Sequence, residues 1–259
     1  MNDCLLQKKI AKSVKIKSLL THKREFSLSD FCFNFLPDDL RNSYGLVETS
    51  NISSHQYDCY ALEIINSKPN GFFLDCGSGK RNDYYENVVN LEIVNYESTD
   101  VLGIGEQLPF KDESFDGVFS LNVLEHVKDP FKCASEISRV LKVGGILYCV
   151  VPFMSPYHDF PDHYYNMSKS GLKNLFDKYL KIEKQDVIMS GLPIFSLTWI
   201  LNNWLDGLTD DVTRKDFLEM KVKDLIGSPT DYLHESFVKE LSQEKNFELG
   251  ATTALWASK

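Results

Sequence analysis

The chain has 259 residues, of which 43% are hydrophobic and 25% are charged, and its net charge at pH 7 is −9. This composition is typical of a globular protein, and no apolar run approaches the roughly 20 residues that a membrane-spanning helix needs. The negative charge disfavours nucleic acid as a partner, because it opposes attraction to phosphate backbones.

The cysteines and the first residues bear on the cellular compartment. Six cysteines are scattered along the chain without any Cys-x-x-Cys pair, which argues against a zinc site and against a disulfide framework. The sequence starts without an apolar leader segment, so secretion is not expected. We therefore expect a cytoplasmic protein with reduced thiols and no structural metal.

Residues 1–70 are predicted to form helices and loops that precede the core as an N-terminal extension. Within them, residues 1–24 are rich in lysine and arginine, with Asp3 as the one acidic residue. Such a basic arm could contact an anionic substrate, a nucleic acid or a membrane, or could be a transit peptide, but a solvated terminal helix is the favoured interpretation.

From residue 71 onward, short apolar runs alternate with helical segments. A helix is predicted from Asp129, an N-cap followed by proline at the first helical position, to Leu141, with Gly144 and Gly145 ending it. Strands alternating with helices indicate a parallel sheet, with the fully apolar run 146–151 as a central strand. The predicted strands are 72–74, 88–92, 100–104, 115–121, 146–151, 181–189 and 252–258. Between the last two, residues from about 192 to 245 are predicted to form a helical insertion, so the domain runs from 71 to 259.

The strongest chemical motif follows the first predicted strand of this domain. There an acid and two glycines come in the order Asp75, Gly77, Gly79. Glycine is needed where the backbone turns sharply at the end of a strand and a ligand approaches it closely. Glu92 ends the next strand, where a carboxylate can accept hydrogen bonds from both hydroxyls of a ribose. The two motifs together predict a nucleotide-type cofactor.

Three further motifs follow in order: Leu-Pro-Phe-Lys-Asp-Glu-Ser-Phe-Asp at 108–116, Leu-Glu-His-Val at 124–127 and Arg-Val-Leu-Lys-Val-Gly-Gly at 139–145. With the glycine loop, they resemble the class I S-adenosylmethionine-dependent methyltransferases over residues 71–180. The resemblance implies an α/β, Rossmann-like, mostly parallel seven-stranded sheet with an antiparallel last strand. It also implies S-adenosyl-L-methionine as the cofactor.

The resemblance also assigns roles to residues of this chain. The glycine loop would hold the methionine part of the cofactor, with Asp75 aimed at its ammonium group, and Glu92 would hold the ribose. Ile104 occupies the place where the family often has an aspartate for the adenine. The full set of residues implied to bind the cofactor is Asp75, Cys76, Gly77, Ser78, Gly79, Glu92, Ile104, Gly105, Glu106, Leu121, Asn122 and His126.

Two connections are shorter than the family pattern. Few residues separate Gly79 from Glu92, and fewer still separate Glu92 from Asp100, whereas a complete crossover usually needs at least about 10 to 12 residues. The first crossover helices are therefore predicted to be trimmed, leaving one side of the sheet thinly covered.

The acceptor is expected to bind at the loop 151–168, which follows the predicted strand 146–151 at the carboxyl end of the sheet. Its His158 and His163 are the predicted catalytic bases, because a neutral histidine can take a proton from a hydroxyl group at pH 7. Similar enzymes with such a loop act on sugars and cell-surface glycans. A small-molecule or sugar-containing acceptor, methylated at a hydroxyl oxygen, is therefore predicted.

Several alternatives remain open at this point. The acceptor atom could be nitrogen, and His163 could be structural. The whole chain could be a noncatalytic cofactor-binding or scaffold protein of the same fold, or a nicotinamide-dependent dehydrogenase, although Asn82 occupies a position where the dehydrogenase motif requires a small residue. The helical insertion could form a lid or the contact of a homo-oligomer.

Overall fold

The computed structural model describes residues 3–21, 27, 30–46, 53–158, 162–252 and 254–255. It divides into two compact units. The first comprises Met1–Pro152 and Phe160–Lys184, and the second comprises Phe153–Asp159 and Gln185–Lys259. Among the described residues, no helix is both long and apolar enough to cross a bilayer.

The first unit is built on a six-stranded sheet in the order β1-β4-β3-β2-β5-β6, and every neighbouring pair is parallel. This confirms the Rossmann-like, mostly parallel α/β fold. The strands are β1 (Phe33–Asn34), β2 (Phe73–Cys76), β3 (Val88–Glu92), β4 (Val101–Leu102), β5 (Phe115–Leu121) and β6 (Leu141–Val150). The helices of this unit are α1 (Asp3–Leu19), α2 (Asp38–Tyr44), α3 (Cys59–Ser67), α4 (Pro130–Val140) and α5 (Lys169–Phe176).

The predicted seven strands and antiparallel last strand are not confirmed. β1 comes from the N-terminal segment and was not predicted, since two residues carry no periodicity. Residues 181–188 form no strand. Of the predicted strand 252–258, residues 253 and 256–258 lie outside the described part of the chain.

The position of β6 differs from the prediction. It was expected to be a central strand that begins after a glycine-terminated helix, but it begins at Leu141 and forms an edge of the sheet. Gly144 and Gly145 lie inside it, next to a register shift against β5. Because no strand of the described residues pairs with its outer edge, Ile146 stays 37% exposed.

The cap of α4 is confirmed. The side chain of Asp129 accepts a hydrogen bond from the Lys132 amide, and Pro130 occupies the first turn. Similarly, Ser168 caps α5 through the Gly171 amide. These caps satisfy amides that the helix itself leaves without partners, which is why the local sequence alone sets both helix starts.

The connections 77–87 and 93–100 contain no helix, as predicted. Next to them, α1 proves not to be a solvated terminal helix. Its Ile16, and Leu20 directly after the helix, belong to the same core cluster as Phe110 and Phe115. Two of its lysines, Lys9 and Lys12, are also buried, whereas Lys23 and Arg24 lie outside the described residues.

The buried lysines bind groups at the starts of β3 and β4. Lys12 Nζ lies 2.8 Å from Asp100 Oδ2, donates to the Val88 carbonyl oxygen and stands over the Tyr84 ring. Lys9 Nζ donates to the carbonyl oxygens of Glu97 and Thr99. The basic arm therefore anchors this side of the sheet.

The second unit is mostly helical over residues 193–249, which agrees with the predicted helical content, whereas an insertion between two strands stays a prediction because residues 181–188 form no strand. Its helices are α6 (Pro193–Gly207), α7 (Asp211–Glu219), α8 (Ser236–Lys239) and α9 (Gln243–Leu249). Trp204 packs on Phe217 and Phe237, and its indole nitrogen donates to the Phe237 carbonyl oxygen at 2.7 Å. Trp204, Phe217 and Phe237 thus form an aromatic cluster within this unit.

Candidate active site

The glycine loop leaves the carboxyl end of β2 in a left-handed backbone conformation. Gly77 has φ 84° and Gly79 has φ 59°, values that other residues adopt only with strain. A Cβ on Gly77 would lie 2.5 Å from Val123 Cγ2, and one on Gly79 would lie 2.8 Å from the Ser53 carbonyl oxygen. The loop therefore needs glycine for the chain's own packing, in addition to any ligand.

Asp75, the last acid before the loop, is fully buried and its two oxygens differ in their surroundings. Oδ2 accepts hydrogen bonds from the Tyr57 hydroxyl at 2.6 Å and from Arg81 Nε at 2.9 Å, and Arg81 Nη2 lies 2.8 Å away. Oδ1 has no hydrogen-bond partner in the described structure. One oxygen of the carboxylate is thus held by donors, whereas the other is a buried acceptor without a partner among the described residues.

Residues 53–57 of the N-terminal segment hold the loop from outside. The Lys80 amide donates to the Ser53 carbonyl oxygen at 2.7 Å, and Arg81 Nη1 donates to the His55 carbonyl oxygen at 2.8 Å. Burial and the charge of Asp75 raise the pKa of Tyr57, so its hydroxyl remains a donor. The sequence analysis missed Tyr57 and Arg81, since neither belongs to a local motif.

Glu92 lies directly beside the glycine loop. Its Oε2 accepts from the Gly79 amide at 2.7 Å and its Oε1 accepts from the Ile93 amide at 2.8 Å. Burial raises the pKa of Glu92, and these amides oppose the shift. Each carboxylate oxygen has a second lone pair, so Glu92 can also accept from the two hydroxyls of a ribose.

The segment after β4 is buried as well. Ile104 and Glu106 are 4% and 3% exposed, and Glu106 Oε1 has no hydrogen-bond partner among the described residues. Burial raises the pKa of Glu106. A Cβ on Gly105 would lie 2.5 Å from Cys133 Sγ and 3.5 Å from Cys76 Sγ, so Cys76 packs under this segment.

The remaining cofactor residues also follow strand ends. Ser78 is buried, and its amide donates to the Leu91 carbonyl oxygen. Leu121 ends β5. Asn122 follows with φ 55°, a left-handed value that asparagine tolerates better than most residues. Strained residues of this kind cluster at functional sites, so Asn122 fits a ligand-facing position.

The two predicted site histidines of the first unit, His126 and His163, are close together. The rings of His126 and His163 have centroids 5.8 Å apart. His126 Nδ1 lies 2.7 Å from the Asp162 carbonyl oxygen, and His163 Nε2 lies 3.1 Å from Asn166 Oδ1. His158 belongs to the second unit, where its ring is 5.2 Å from that of Trp199.

These residues fit S-adenosylmethionine. The cofactor offers hydrogen-bond donors at its ammonium group, its ribose hydroxyls and its adenine amino group. The carboxyl ends of β2, β3 and β4 offer acidic acceptors in the same order along the chain, namely Asp75, Glu92 and Glu106. The unpartnered buried oxygens of Asp75 and Glu106 are the observation that carries this match, since buried polar atoms normally have partners.

Comparison with known proteins agrees with this chemistry. Residues 76–149 match the family model of the methyltransferase domain, Methyltransf_11. The matched region begins directly after Asp75 and includes most of the sheet and the motifs at 108–116, 124–127 and 139–145. It is similar to methyltransferase domains, whose cofactor is S-adenosylmethionine.

Curated relatives match a short part of the chain. An uncharacterized protein of Methanocaldococcus jannaschii is 49% identical over 45 residues, covering 17% of this chain and 22% of the relative. An uncharacterized methyltransferase of Mycobacterium sp. (strain KMS) is 48% identical over 42 residues, covering 16% and 17%. The chain thus spans about a fifth of the length of the curated relatives it matches.

Solved structures match with low identity. The YcgJ protein of Bacillus subtilis shares 20% identity, with 60% of this chain and 86% of that chain covered and a TM-score of 0.38. Phosphoethanolamine N-methyltransferase 2 of Haemonchus contortus, solved with phosphomonomethylethanolamine and S-adenosylhomocysteine, shares 17% identity, with 65% and 44% covered and a TM-score of 0.36.

The ribose assignment can be tested at Glu92. Glu92→Ala is expected to weaken binding of S-adenosylhomocysteine by about 1.5–3 kcal/mol, the range for a lost hydrogen bond to a charged group. Isothermal titration measures it, with the exposed Glu86→Ala on the preceding turn as the control. Equal affinity in Glu92→Ala and the control would contradict the assignment.

Proposed function

We propose that this protein transfers a methyl group from S-adenosylmethionine to a hydroxyl oxygen of a small-molecule or sugar-containing acceptor. The observation that supports it most is the buried Oδ1 of Asp75, which has no hydrogen-bond partner among the described residues and lies directly before the region that matches the methyltransferase domain. Glu92, which ends β3, and Glu106, which follows β4, are two further buried acids. Together with Asp75 they offer acceptors for the ammonium, ribose and adenine donors of one S-adenosylmethionine molecule.

When bound, the cofactor supplies a methyl group activated on a positively charged sulfur. In the proposal, Asp75 binds its ammonium group through Oδ1, Glu92 accepts from the ribose hydroxyls, and Ile104, Gly105 and Glu106 border the adenine. Leu121, Asn122 and His126 line the methionine side. Methyl transfer is an in-line displacement, so the main task of these residues is to fix the methyl group in one orientation and to exclude water.

The acceptor is proposed to bind at the loop 151–168, where the sequence predicts His158 or His163 as the base. Residues 159–161 of this loop lie outside the described part of the chain. The role of residues 1–70 as an extension of a domain spanning 71–259, a cytoplasmic location and homo-oligomer formation through the insertion 192–245 stay predictions.

A turnover assay tests the proposed function. The full chain is incubated with S-adenosylmethionine and methyl glycosides, catechol or simple sugars, and S-adenosylhomocysteine and the methylated product are measured by mass spectrometry. A methyl ether is the expected product. Tight binding of S-adenosylhomocysteine without turnover on any acceptor would favour the scaffold alternative, and no binding at all would overturn the proposal.

A further inference from the structure

Glu125 is a buried acid that none of the proposed cofactor contacts uses. It lies in the short 3-10 helix Leu124–His126 that follows β5. The residue is fully buried, and neither carboxyl oxygen has a hydrogen-bond partner among the described residues. Burying an unpaired carboxyl group costs free energy, so such a group calls for an explanation.

His126 is the titratable neighbour of Glu125. Its Nε2 lies 3.9 Å from Glu125 Oε1, and its side chain is 18% exposed. Its Nδ1 lies 2.7 Å from the carbonyl oxygen of Asp162. Because a carbonyl oxygen only accepts, Nδ1 carries the proton of the neutral ring and Nε2 carries the lone pair. The basic nitrogen of the ring is therefore oriented beside the buried carboxyl group.

The predicted acceptor loop is attached to the same turn. The amides of Tyr164 and Tyr165 donate to the Glu125 carbonyl oxygen at 2.7 and 3.2 Å. The ring of His163 lies against that of His126. A ligand that contacts residues 162–165 would therefore lie close to His126.

We propose that His126 takes the proton of the acceptor during methyl transfer and that Glu125 is a positioning residue that stabilises the imidazolium so formed. This inference rests on the proposed function and deepens it, because it assigns the group that takes the proton of the acceptor hydroxyl. His163 then flanks the base and does not act as it.

The step balances in atoms and charge. The acceptor heteroatom forms a bond to the methyl carbon, the bond from that carbon to sulfur breaks, and sulfur keeps the electron pair and becomes neutral. The acceptor proton passes to His126 Nε2, which becomes positively charged. The Glu125 carboxylate then faces this charge at the distance of an ion pair.

The state of Glu125 controls how well the pair accepts a proton. Burial raises the pKa of Glu125 to about 8, so the carboxylate form, which favours the imidazolium, increases as the pH rises through 8. Within the first unit, the titratable groups near the pair include Cys149, Asp162, His163, Tyr164 and Tyr165. Burial, together with the charge of Glu125, raises the pKa of the Cys149 thiol to about 12, so this thiol stays neutral in that range.

The coupling can be measured without knowing the acceptor. In protein labelled with ¹³C at histidine and loaded with S-adenosylhomocysteine, NMR follows the titration of the His126 ring. Wild-type protein is expected to show an additional step near pH 8 from Glu125. In Glu125→Gln this step should be lost, because the amide that replaces the carboxyl group does not ionise. If Glu125→Gln fails to fold, the wild-type titration alone decides, because a single step would overturn the proposal.

Turnover gives the second test. On an acceptor found with the wild-type enzyme, His126→Gln is expected to lower kcat by about 10²–10⁴, the usual contribution of a general base. Glu125→Gln should lower kcat and abolish its rise between pH 7 and 9, while KM for S-adenosylmethionine changes little. The exposed Glu113→Gln is the control and should match wild type. Normal kcat and pH profiles in both His126→Gln and Glu125→Gln would overturn this inference and leave the proposed function unaffected. A wild-type protein that never binds the cofactor would overturn the proposed function itself.

Discussion

Lys12→Met is expected to lower the free energy of unfolding by about 3–5 kcal/mol, the usual cost of breaking a buried ion pair from one side. Both partners are almost fully buried, and Asp100 Oδ2 also accepts from the Asn90 amide. Without Lys12, the Asp100 carboxylate keeps its charge inside the protein without its cation, and the Val88 carbonyl oxygen loses a donor. Urea unfolding followed by circular dichroism measures the change.

Lys8→Met is the matched control for this prediction. Lys8 lies on the same helix but its side chain is 40% exposed, and its nearest acid, Glu86, is 3.9 Å away and more exposed still. Exposed pairs of this kind contribute little, so the expected change is within about 0.5 kcal/mol. Equal stability of the two variants would show that the buried pair does not anchor α1 to the sheet.

Asp75→Asn is expected to have the second large effect, acting on both stability and cofactor binding. An amide keeps the shape of the side chain but leaves Arg81 without its buried counter-ion, at a cost of about 3–5 kcal/mol in unfolding. It also removes the negative charge that Oδ1 offers to an ammonium group, so binding of S-adenosylhomocysteine should weaken by about 1.5–3 kcal/mol. Urea unfolding and isothermal titration on the same preparation measure the two effects.

Tyr57→Phe separates these two effects. It removes one hydrogen-bond donor from Asp75 Oδ2. It keeps the aromatic packing, the ion pair with Arg81 and the Oδ1 atom that has no partner among the described residues. The affinity for S-adenosylhomocysteine should therefore change less than in Asp75→Asn. If Asp75→Asn bound as tightly as wild type, Asp75 would not contact the ammonium group, and its role would be limited to holding Arg81.

The features that the sequence predicted correctly depend on neighbouring residues. The order of β2 to β5, the glycine turn and the capped start of α4 follow from apolar runs and from side chains a few positions away. The placement of Glu92 beside Gly79 also follows, because the ends of neighbouring parallel strands meet at one edge of a sheet. The short connections after β2 and β3 likewise predicted correctly that these crossovers are trimmed.

The features that could not be predicted from the sequence depend on contacts between distant segments. Lys12 appears in a basic run that is indistinguishable from a solvated helix, and its partner Asp100 is 88 positions away. Tyr57 and Arg81 lie near no motif, yet they hold Asp75. The apolar run in β6 led to the prediction of a central strand. An apolar sequence shows that a strand can be buried, but it does not show how many strands pair with it.

Because Gly77 packs against Val123, the presence of glycine at position 77 is weak evidence for methyltransferase activity. Any side chain at position 77 would collide with Val123 even without a ligand, so the glycine would be retained in a descendant that had lost methyl transfer. Glu125 is a better marker of function than Gly77 or Asp75, because neither of its carboxyl oxygens has a hydrogen-bond partner among the described residues, whereas Asp75 also holds Arg81. Among homologues, catalytic loss should therefore show first as change at Glu125, while Gly77 persists wherever position 123 stays bulky.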